Sequence, residues 1–402
     1  MTVLTVGTGQ QYTRLSAAIA ASHDGDVIKV KAGTYSNDSA IIRTKVSIEG
    51  VGGQVNLVST APIANRKAIL VTNNDVTLNN INFSGAKVAD GNGAGIRYQA
   101  GNLTINNCYF HDNQEGLLAA DNASGSITVN NSEFAHNGTG DGKTHNLYVG
   151  KIAKLTINNS YFHDAVVGHE IKSRAASTTI QNSRIFEGPA GTASYSVDLP
   201  NGGKAVLNNN IIEQGPKSQN PAIIHFGGEG TPYAGSTLTI SHNTIINDLD
   251  RGISRALLNN TSTVPKFTGN TLWGLTSTQI ATGPVNASGT VWLASRPALA
   301  TTAPWHPVVS GAQVAVLAAP AETQFLQPST SDDTSVASAN ADLLSFPTAP
   351  TLADLFPAAS GASVSPQPYS AAPAGLATAS LDPSAHAAIG VALSPAVHSG
   401  GA

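Results

Sequence analysis

One phrase of alternating apolar and polar residues returns through the chain: VTLNNINF from Val76, LTINNCYF from Leu103, ITVNNSEF from Ile127, LTINNSYF from Leu155, TTIQNSRIF from Thr178, AVLNNNII from Ala205 and LTISHNTII from Leu238. Its period of two predicts a strand with one buried face, followed by a polar turn. With the third residue as register (Leu78, Ile105, Val129, Ile157, Ile180, Leu207, Ile240), successive phrases lie 27, 24, 28, 23, 27 and 33 residues apart. A fixed unit with insertions fits these steps. Such a unit holds about three strands of 4 to 6 residues, so the units are expected to stack as coils of a parallel-stranded solenoid. The Asn recurring at Asn80, Asn107, Asn131, Asn159, Asn182 and Asn209 would then stack about 4.8 Å apart, amide to amide, where the chain turns inward. At Ile240 the phrase reads SHN, a point where this ladder is expected to end or slip.

An open end would expose strand edges and core, so a solenoid needs a cap. The segment YTRLSAAIAAS (12–22), with Leu15, Ala18 and Ile19 on one face, predicts a short amphipathic cap helix, and DGDVIKVKAGTY then enters the first coil. After Arg296 the character changes. Thirteen of the 21 prolines fall there, with six acidic residues and no Lys or Arg. Residues 1–295 are therefore expected to form the folded domain, and 296–402 a low-complexity tail with little fixed structure.

Charged residues are 11% of the chain, against about 25% in ordinary soluble domains, which excludes a long charged-helix protein. The net charge of -4 leaves no electrostatic footprint for nucleic acid. No apolar run is long enough to span a membrane or to serve as a secretory signal, and the lone Cys108 excludes an internal disulfide or a cysteine-ligated metal.

Helix, GD-x-I-x-V, AGTY and repeated LTI-x-N phrases occur here in one order, and in this the sequence resembles the right-handed parallel β-helix proteins of the pectate-lyase-like superfamily. The resemblance covers roughly 1–290. The expected fold class is all-β: a right-handed parallel β-helix solenoid with an N-terminal capping helix and a Pro/Ala-rich C-terminal tail.

Every coil must supply the same scaffold, so residues recurring at one repeat position are read as structural. This removes the Asn column and His111, His136 and His163. What remains lies on GIRYQ (95–99), HNLYVG (145–150), HEIKSR (169–174), SVDLPN (196–201) and IIHFGG (223–228). With Ile96, Leu147, Ile171, Leu199 and Phe226 inward, alternation places Arg97, Tyr148, Lys172, Asp198 and His225 in one outward column. Asn146, Glu170 and Arg174 are expected on the same face, His145 and His169 beside the groove or stacked at a corner. Tyr98, Tyr195, Tyr233 and Trp273 offer sugar-stacking surfaces or packing. Glu170 and Arg174 each lie about 6.6 Å along the strand from Lys172, so the direction of its pKa shift is open.

The resemblance implies work on acidic polysaccharides in a groove along these strands. Fragments of the hydrolases' NTD, DD, GHG, RIK series appear in GHEIK without an aspartate pair, and the epimerases' DPHD motif is missing. β-Elimination at a uronic acid needs a cation to neutralise the C6 carboxylate, a base for the C5 proton and an acid for the leaving oxygen. Arg174 or Arg97, Lys172, and Tyr148 or His225 supply that set. The resembling lyases often hold calcium, for which only Glu170, Asp198 and Asn146 are hard ligands here. The sequence thus points to a secreted or cell-surface lyase acting on an acidic polysaccharide, with a non-catalytic glycan-binding adhesin or matrix protein as the alternative and a phage-type depolymerase a third reading.

Overall fold

A computed structural model describes residues 1–229, 233–249 and 252–302. These form a parallel β-solenoid in which a typical coil carries three short strands, such as Leu147–Val149, Ile152–Asn158 and Tyr161–His163. One wall is a ten-stranded parallel sheet, and two strands of each coil run through the other. Residues 303–402, which hold nearly all of the expected tail, lie outside the described residues.

The recurring phrase is in register throughout. Leu78, Ile105, Val129, Ile157, Ile180, Leu207 and Ile240 pair in succession and are fully buried. Extra residues fall in the turns and, at Asn122–Ser126 and Thr72–Asn73, in register shifts within the strands. The aromatic closing the phrase makes a second file, Phe83, Phe110, Phe134 and Phe162, whose rings stack at 4.7, 4.5 and 4.8 Å. Parallel pairing forces that spacing, so identical rings fill the core at each level.

The asparagine column takes left-handed backbone, with φ between 45° and 58° from Asn80 to Asn209. Its amides link Asn107 to Asn80, Asn159 to Asn131 and Asn209 to Asn182 at 3.2, 2.6 and 2.8 Å. From Asn131 onward it lies toward solvent rather than inward, with Asn131, Asn159, Asn182 and Asn209 exposed, whereas Asn80 at its start is buried. At the SHN phrase the backbone does not slip, because His242 takes the same conformation at φ 55°. A buried ladder one residue further on went unread. Cys108, Ser132, Ser160 and Ser183 each donate a backbone N–H to the side chain of the next coil, and Asn210, Asn243 and Asn270 continue the series.

The cap helix is Leu15–Ala21, shorter than the segment expected, with Leu15, Ala18 and Ile19 buried. Its first free amides are satisfied by Asp38, which accepts from Leu15 and Ser16 at 2.6 and 3.2 Å. A strand, Val3–Val6, precedes the helix and pairs with Asp26–Ser36. Beyond Val291–Trp292 the chain returns over earlier coils: Arg296 pairs with Asp248 at 2.6 Å, and Arg184 donates to the carbonyls of Ala300 and Thr302. No helix among the described residues is long and apolar enough to cross a membrane.

Candidate functional site

The ten-stranded wall carries the outward column. Tyr148 pairs with Lys172, Lys172 with Asp198, and Asp198 with His225. Arg97 stands one step apart, because Leu118 of strand Glu115–Ala119 intervenes between it and Tyr148. The sequence reading passed over this strand, since EGLLA does not alternate.

The column was expected to face solvent, and the structure corrects this. Tyr148 and Arg97 are half-buried, but the side chains of Lys172, Asp198 and His225 are only 11%, 2% and 8% exposed. Residues 227–229 cover them. A methyl at Gly228 would sit 2.1 Å from His225 Nε2, so only glycine permits so close a crossing. From this segment Glu229 reaches down: its Oε1 is 2.8 Å from Lys172 Nζ, and its Oε2 pairs with Arg174. Burial alone would raise the Glu229 carboxyl, but bonds from Lys172 and Arg174 lower it. Glu229 was missed because the search stopped at the strands. The signal was a single acid in the GGEG stretch of one coil.

Arg174 organises the other side. Its Nε donates to the Tyr148 hydroxyl at 2.9 Å and its Nη1 to Asn201 Oδ1 at 2.8 Å, while Tyr233 donates to its carbonyl at 2.8 Å. Lys172 Nζ and Arg174 Cζ lie 5.8 and 5.7 Å from the centre of the Tyr148 ring. Asp198 joins the cluster from beneath, with His225 Nδ1 at 2.8 Å, His169 Nε2 at 3.3 Å and Lys172 Nζ at 3.3 Å. Burial would raise the Asp198 carboxyl, yet bonds to both imidazoles and the nearby cations hold it well below the usual range. Glu229 and Asp198 both lie beside the Lys172 amine, which joins them in one ion-pair network.

Asn146 and Glu170 do not join this face. Both are fully buried: Glu170 accepts from Ala165 N at 2.8 Å and from Asn146 Nδ2 at 2.5 Å, and burial pushes its carboxyl up to about 8. They precede strands Leu147–Val149 and Ile171–Ser173, so alternation did not govern them. His145 stacks on His169 at 4.7 Å and is buried, a corner position. His169 also stacks there but reaches Asp198. Tyr98 is buried with its hydroxyl on Gly101 O, which closes it to a sugar, and Tyr195, part-buried, stacks on His225 at 4.6 Å. Trp273 is part-buried on a strand of the other wall.

Calcium does not fit this donor set. Both carboxylates of the cluster, Asp198 and Glu229, are already paired with cations, and the other two expected ligands, Glu170 and Asn146, belong to the buried turn.

Beside Tyr148 an open cleft of about 490 Å³ runs along the column to Arg97, floored by Leu118 and rimmed by Asp90, Asp121, Asp141 and Lys143.

The family of the right handed beta helix region matches residues 22–191. No curated protein sequence matches the chain. Among solved structures, an alginate lyase from Paenibacillus sp. str. FPU-7 is similar over 72% of this chain and 99% of its own, at 16% identity and a TM-score of 0.53. The pectate lyase Pel9A is 16% identical over 72% of this chain and 78% of its own, with a TM-score of 0.41. The Streptococcus pneumoniae surface protein and adhesin PfbA is 14% identical over 69% and 91%, at 0.36. At these identities the likeness is one of fold, that of a right-handed parallel β-helix.

Proposed function

We propose that this protein is an extracellular polysaccharide lyase that cleaves a uronic-acid-containing polymer by β-elimination. The observation that carries the reading is that Lys172 and Arg174, two residues apart, converge on one carboxylate, that of Glu229, with the Tyr148 hydroxyl bonded to the same guanidinium. A uronate C6 carboxylate taking the place of the Glu229 carboxylate would meet the same two cations. Their charge makes the C5 proton acidic and stabilises the enolate that follows. The step starts from Tyr148 with its phenolic proton given up to solvent; the Arg174 guanidinium supports the resulting negative oxygen, which takes the C5 proton. The electron pair forms the C4–C5 double bond, the C4–O bond breaks, and Tyr148 returns the proton to the departing oxygen. Asp198, His169 and His225 act behind this step by holding Lys172 in place.

The test is incubation with alginate, polygalacturonate, glycosaminoglycans and bacterial exopolysaccharides while following the ultraviolet absorbance of the unsaturated product. Tyr148→Phe and Lys172→Ala are each expected to lower kcat at least about a hundredfold. Full activity in both would reject the assignment.

A glycan-binding adhesin is the second reading, favoured by the cover over Lys172 and Asp198 and by the neutralisation of both cations by Glu229. Binding without product on any polymer would select it.

A further inference from the structure

We infer that the cleft between Tyr148 and Arg97 takes a stretch of uncharged sugars, with a second carboxylate at Arg97, so that the substrate is a heteropolysaccharide whose uronates are separated by neutral residues. This rests on the lyase reading for the position of the first carboxylate.

The argument starts from the order of the outward column, Arg97, Leu118, Tyr148, Lys172. The two ends are cationic and the two middle positions are not. Each step along a parallel sheet is about 4.8 Å, so Arg97 lies about 14 Å from Lys172 along the axis. A chain lying along the column meets a cation, then an aliphatic and an aromatic surface, then a cation again. Leu118 and the Tyr148 ring suit the apolar face of a pyranose and give a carboxylate no partner. Asp90, Asp121 and Asp141 on the rim repel a carboxylate placed between, with Lys143 beside them and Arg97 at the far end as the cations of the cleft.

Arg97 is the half-buried cation of this cleft. Its Nε is buried and finds no hydrogen-bond partner. The nearest acid is Glu115, whose backbone-facing oxygen accepts from His145 N at 2.9 Å. Burial pushes the Glu115 carboxyl well above its usual range. Lys172 and Arg174, by contrast, are already paired with Glu229. A polymer with contiguous uronates would satisfy both ends but force two further carboxylates against Leu118, Tyr148 and the aspartates.

The full-length protein is compared on polygalacturonate and alginate, where every sugar is charged, and on two heteropolysaccharides in which two neutral sugars separate successive uronates, by rate and by calorimetric binding. At least a tenfold preference in kcat/KM for the second pair is expected. Arg97→Ala should raise KM on it more than it lowers kcat, and Arg97→Lys should restore most of the loss. Equal or better cleavage of the contiguous polymers overturns this inference and leaves the lyase reading standing. No product, with binding to the spaced polymers preferred and weakened by Arg97→Ala, overturns the lyase reading and supports the cleft. No product and no preference in binding rejects both.

Discussion

Glu229 and Lys172 are 57 residues apart in the chain, yet Glu229 Oε1 rests 2.8 Å from Lys172 Nζ. The contact exists because the column brings Lys172 beneath the crossing at Gly228, and the Glu229 main chain is fixed by bonds from its own N–H to Pro200 O and from Asn201 Nδ2 to its carbonyl. Only the side chain is free to leave. Since it is about half exposed, its ion pairs contribute no more than about 1 kcal/mol. Glu229→Gln is therefore expected to tighten binding of an anionic oligosaccharide about two- to fivefold and to steepen its salt dependence. Calorimetry at two ionic strengths checks this, and weaker binding would show that Glu229 itself holds the ligand.

Asp198 compensates a buried lysine and touches two imidazoles. Its replacement by Asn leaves Lys172 short of a partner at 11% exposure. Removing one member of a buried pair costs about 3–5 kcal/mol, so the urea midpoint of Asp198→Asn should fall accordingly. A loss within error of zero would mean that Glu229 and solvent already satisfy Lys172.

The pH dependence of stability has a definite sign at the buried turn. Glu170 has a folded value of about 8 against an ordinary 4.5. Between these values the folded state binds more protons than the unfolded state, so the contribution is complete below 4.5 and is lost as pH rises through about 8. The slope from one group is at most about 1.4 kcal/mol per pH unit. Glu213, raised by burial to about 7, adds a slope of the same sign. Denaturation of wild type and Glu170→Gln across this window should show a shallower decline in the variant, and parallel curves would acquit Glu170.

Two substitutions in one region separate the forces that hold the coils. Phe134→Ala opens a gap between Phe110 and Phe162 and should cost about 3–5 kcal/mol. Ser160→Ala leaves the buried N–H of Ser132 without its acceptor and should cost about 1–3 kcal/mol. Thermal melts rank the two, and the reverse order would make the polar ladder the stronger support.

What the sequence revealed follows from what each coil must repeat. The file from Leu78 to Ile240 was legible because every level needs an inward apolar residue at one place. Alternation then ordered Tyr148, Lys172, Asp198 and His225, since those positions lie within strands. It misled at Asn146 and Glu170, which sit just before their strands, and it said nothing of Leu118, whose strand is apolar on both faces. Glu229 and the cover over His225 depend on a turn closing from outside, and period two carries no information about turns. The serine and asparagine ladder inside was visible in the letters after each Asn, but its burial was not.

The phrase intervals vary from 23 to 33 residues while the inward residues of the phrase, Leu78 to Ile240, stay paired level by level. The wall is thus a ruler whose graduations are set by peptide geometry, and the segments between graduations are free to lengthen. Such a protein can acquire a new lid, rim or crossing in one evolutionary step and keep the distance from Tyr148 to Lys172 unchanged, so selectivity and reactivity can diversify independently.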